Sequence, residues 1–91
     1  MGAHNFTLLQ QEFARFSDIT SEPHENSEIT QWVERLKEQG EKVIELIDEM
    51  YECRFYAPYQ DIQNSFSDSV NGLQRSLRAV DIDFKLQTLE R

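Results

Sequence analysis

The chain has 91 residues, 38% of them apolar and 29% charged, with only three glycines and two prolines. Six Phe, three Tyr and one Trp make it too aromatic for a disordered chain, and it has too few turn residues for a sandwich or barrel of short strands. A formal charge of −8 opposes both a phosphate backbone and an anionic membrane surface, so neither a nucleic-acid nor a membrane partner is expected.

The length corresponds to a single helical domain, residues 1–91. No apolar run approaches the roughly 18 residues of a membrane helix, and no basic stretch leads into an apolar one at the N-terminus. Cys53 is the single cysteine, which excludes an internal disulfide and a four-thiolate zinc site and favours a reducing, cytoplasmic compartment.

In chain order, Phe6, Leu9, Phe13 and Phe16 recur at steps of three and four and predict a helix over about 5–17. The polar stretch from Ser17 to Asn26 contains Pro23 and has no period, so it reads as a loop. Ile29, Val33, Leu36, Gly40, Val43, Ile47, Met50 and Arg54 then form a 4-3 seam that predicts a second helix over about 28–56, with Ser27 as its cap. Trp32, Ile44, Leu46 and Tyr51 widen this stripe, so the helix packs against more than one neighbour.

Pro58 ends that helix and suits the first turn of the next. Tyr59, Ile62, Phe66, Val70, Leu73, Leu77, Val80 and Phe84 keep helical spacing and predict a third helix over about 59–90. Residues 80–86 also alternate strictly, the period of a strand; helix is preferred because a lone strand would lack a partner. The resulting fold is all-α, a three-helix bundle dominated by a long antiparallel hairpin of helices two and three. In that hairpin Gly40 stands near Gly72, Ser69 and Ser76, which marks either a tight helix crossing or thinly packed surface.

Candidate chemistry is sparse. Glu25-x-x-Glu28 and Glu45-x-x-Asp48, with Glu49 and Glu52 adjacent, pair carboxylates at i,i+3, a spacing that can hold Mg²⁺ when two helices contribute. At these four positions the chain resembles the paired acidic motifs of all-α MazG-like nucleotide pyrophosphatases. The resemblance implies Mg²⁺-dependent hydrolysis of a nucleoside triphosphate as the alternative function. Glu25 falls in the loop, however, and no basic cluster follows to hold the triphosphate. There is no Gly-rich phosphate loop, the serines of the third helix have no downstream histidine, and Cys53 has no evident base. A non-enzymatic protein without cofactors or metals is expected.

Two apolar features point instead to a protein partner. The turn Phe55-Tyr56-Ala57-Pro58-Tyr59 concentrates aromatics, which bury large area at low entropic cost; it either plugs the bundle end or meets a partner. Ile82, Phe84, Leu86 and Leu89 extend past the reach of helix two, and an uncovered seam of that kind marks an interaction site. Phe55, Tyr56, Tyr59, Ile82, Phe84, Leu86 and Leu89 are therefore the expected interface. Its partner is either a second copy, giving a homodimer, or another protein, with basic character suited to the acidic surface.

Overall fold

The computed structural model describes residues 2–22, 28–84 and 86. Three helices run in up-down-up order: α1 (Gly2–Thr20), α2 (Ile29–Glu49) and α3 (Ala57–Arg78), with a 3-10 turn at Tyr51–Cys53 leading out of α2. No strand occurs among the described residues. The fold is the all-α bundle expected from the spacing, with different helix limits and a different closest pair.

On α2 the seam positions Val33, Leu36, Gly40, Val43 and Ile47 are all buried, joined by Trp32 and Leu46. Leu9 and Phe16 of α1 and Tyr59, Phe66, Val70 and Leu77 of α3 complete the helical part of the core. Each such side chain removed from water contributes about 1.5–3 kcal/mol against the entropy of ordering it. Phe66 joins α3 to α1 through edge-on ring contacts with Phe16 and Phe13, at centroid distances of 5.0 and 6.4 Å.

The tightly packed hairpin is α1–α2 rather than the predicted pairing of helices two and three. Polar ties explain its precision. The Trp32 indole donates to the Ile19 carbonyl at 2.7 Å, and the buried Gln39 amide donates to the Glu12 carbonyl at 2.9 Å. Outside, Arg35 meets both carboxylate oxygens of Glu22. Between α2 and α3 the tie is the Tyr59 hydroxyl, which donates to the Ile47 carbonyl at 2.8 Å. Ile19 and Ile47 lie in the last turns of α1 and α2, where their carbonyls accept i,i+3 bonds from the Glu22 and Met50 amides, each at 3.2 Å. An aromatic donor from the next helix adds a second bond at the end of α1 and at the end of α2.

Three predicted limits change. Helix α1 continues through Ser17 and Asp18 to Thr20, because Ile19 packs against the core and its carbonyl receives Trp32. Helix α2 stops at Glu49 instead of residue 56. The Met50 amide bonds back to the Leu46 and Ile47 carbonyls, and i,i+3 bonds Cys53–Met50, Arg54–Tyr51 and Tyr56–Cys53 then tighten the chain into its reversal. Ser27, the expected cap, and Leu89 lie outside the described residues.

The third change is the largest. Helix α3 ends at Arg78, not near residue 90. The Asp81 amide bonds to the Arg78 carbonyl and the Ile82 amide to the Leu77 carbonyl, with Asp81 at φ 61°. This is a Schellman ending with an aspartate in the left-handed position usually given to glycine. Ile82, Phe84 and Leu86 follow in non-helical backbone and fold back over the bundle, with Phe84 3% and Leu86 6% exposed. Of the alternating apolar positions, Ile82, Phe84 and Leu86 pack on the core while Val80 is 57% exposed, and no strand forms among the described residues.

Gly40 is the seat of this strap. A Cβ at Gly40 would stand 2.5 Å from Leu86 Cδ1 and 3.3 Å from Phe16 Cε1, whereas one at Gly72 would meet nothing within 4 Å. The crowding anticipated at Gly40 is real, but its partners are the strap and α1, not the small residues of α3.

Candidate interaction surface

Up-down-up connectivity brings the start of α1, the end of α2 and the start of α3 to one end of the bundle. There Phe6, Thr7, Met50, Glu52, Cys53, Phe55 and Tyr56 line an open cleft of about 620 Å³. Tyr56 sits in extended backbone just before α3, and its ring meets Phe6 edge-on at 5.5 Å. Phe55, at the apex of the reversal, is 80% exposed, and Tyr56 is 53% exposed. Exposing so much of one phenylalanine leaves a large area of unburied apolar surface.

Phe55 is held in place from behind by Arg54. The guanidinium carbon lies 4.9 Å from the Phe55 centroid and 4.6 Å from that of Tyr51, cation–π distances worth about 0.5–1 kcal/mol each on an exposed surface. The Gln60 amide donates to the Arg54 carbonyl at 2.8 Å and ties the turn to α3. The result is an aromatic ridge on a braced turn beside an apolar hollow. Glu52 stands at the lip, and the exposed carboxylates of Glu45, Asp48 and Glu49 precede it along α2.

Of the expected interface residues, the structure brings only Phe55 and Tyr56 together on this surface. Tyr59 is fully buried and spends its hydroxyl on Ile47. Phe84 and Leu86 belong to the chain's own core, and Ile82 is partly buried against it. The uncovered-seam argument therefore does not apply to Ile82, Phe84 and Leu86, because these residues fold back onto the bundle of their own chain. Sequence reasoning placed Phe6 in the helix-one core and missed Met50 and Cys53 as cleft walls. The connectivity that joins the three helix ends was the available signal.

The acidic pairs do not converge. Glu28 immediately precedes α2 and Glu45 and Asp48 lie near its other end, roughly 25–30 Å away at 1.5 Å per residue, so one cation cannot bridge them. Glu25 lies outside the described residues. Among the described residues no group of three or more His, Cys, Asp or Glu side chains could hold a metal ion, and no helix is long and apolar enough to cross a membrane. Compared with known protein families, characterised proteins and solved structures, the chain matches none.

Proposed function

We propose that the chain is a non-enzymatic interaction module, an adaptor or inhibitor that receives a basic amphipathic segment of a protein partner in the Phe6–Phe55–Tyr56 cleft. The observation carrying this reading is the exposure of Phe55 beside an apolar hollow, on a turn braced by Arg54. Aromatic residues in such settings dominate binding energy, because they fill or form pockets at small entropic cost. The basic character of the partner follows from charge: the chain carries −8, and residues 27–56 alone hold eight acids against four bases. Glu52 at the lip and the carboxylates of Glu45, Asp48 and Glu49 would steer and flank a cationic segment.

Titration of the full chain with two synthetic helical peptides tests this. Both carry Leu and Phe on one face; one has Lys and Arg on the other, the second Glu. The expected result is saturable chemical-shift change at Phe6, Cys53, Phe55 and Tyr56 with the basic peptide, weakened by salt and lost in Phe55→Ala. Equal response to both peptides, or no saturable response at these residues, would contradict the proposal.

A further inference from the structure

A helix-interior glycine is costly, and Gly40 lies in the middle of α2 with its missing Cβ replaced by the Leu86 side chain. The groove at Gly40 and Phe16 thus receives Leu86, the last of the alternating apolar residues Ile82, Phe84 and Leu86 that pack on the core. Leu86 packs beside Gly40 and Phe16, Phe84 is buried in the core, and the turn bonds go back to Leu77 and Arg78 of the strap's own helix. Such a hold is indifferent to which copy supplies the segment.

The hinge supplies the bias. Asp81 occupies φ 61°, a left-handed conformation that costs a residue with a Cβ, and Val80 is 57% exposed beside it. The sequence also continues the helical spacing of Leu73 and Leu77 through Val80 to Phe84. If α3 runs on through residues 79–81, Asp81 becomes relaxed, Val80 joins the apolar face, and the strap leaves its own bundle. Short strained hinges of this kind favour exchange of an element between identical chains.

We infer that the Gly40 groove accepts Leu86 of a second copy, so that two chains pair by exchanging the strap that carries Ile82, Phe84 and Leu86. This interface is separate from the Phe55–Tyr56 cleft and does not depend on it. The full chain, concentrated to the millimolar range, warmed close to its melting temperature and slowly cooled, is examined by sedimentation. A dimer whose share rises with the protein concentration during cooling is expected. Asp81→Gly removes the strain from the closed hinge of both chains and should weaken dimerisation at least about tenfold. Phe55→Ala should leave it unchanged. A chain that remains monomeric throughout, a dimer insensitive to Asp81→Gly, or one abolished by Phe55→Ala would overturn the inference.

Discussion

Gly40 and Leu86 occupy complementary space: the Leu86 Cδ1 atom lies 2.5 Å from where a Cβ of residue 40 would be. One residue without a side chain in mid-helix and one leucine 46 positions later together close the core. Gly40→Leu should therefore destabilise the fold by about 1–3 kcal/mol through overpacking. Gly72, with open space where its Cβ would be, should respond oppositely, Gly72→Ala stabilising by about 0.5–1 kcal/mol through helix propensity. Urea unfolding of the two variants measures both signs.

The aromatic donors at the helix ends give a second pair of expectations. Tyr59→Phe keeps the buried ring but removes the hydroxyl bonded to the Ile47 carbonyl, and should cost about 1 kcal/mol. Trp32→Phe removes the bond to the Ile19 carbonyl and part of a buried ring, and should cost about 1–3 kcal/mol. Chemical unfolding reads both. A Tyr59→Phe protein as stable as the parent would show that the hydroxyl bond contributes nothing net.

Asp81 offers a stabilising change. Glycine enters the left-handed region freely, so Asp81→Gly should raise stability by about 0.5–1 kcal/mol, while a β-branched residue there should lower it. Thermal unfolding at low protein concentration, which disfavours pairing, isolates this effect.

The α2 stripe was readable from spacing alone, because Val33, Leu36, Gly40, Val43 and Ile47 repeat at the period of a helix and burial follows period. The chain reversal at Pro58 and the aromatics beside it were equally plain. The end of α3 was not. Leu77, Val80 and Phe84 fit a continuing helix, and nothing local reveals that Asp81 adopts positive φ; the bonds that fix it, to Leu77 and Arg78, depend on the chain turning back. Mistaking the strap for helix also left Phe84 and Leu86 apparently uncovered. The two exposed aromatics of the candidate surface were legible as residues, whereas Phe6, more than 40 positions away in sequence, reaches them only through the topology.

The most direct test of the division between core and surface is a comparison of unfolding free energies for Leu86→Ala and Phe55→Ala. Leu86 is buried in the groove at Gly40, and its truncation should cost about 2–5 kcal/mol. Phe55 is mostly exposed, and its truncation should cost no more than about 1 kcal/mol, the share of its stacking with Arg54. A Leu86→Ala protein as stable as the parent, or a Phe55→Ala protein that is the weaker of the two, would contradict the placement of the strap in the core and of the aromatic turn on the surface.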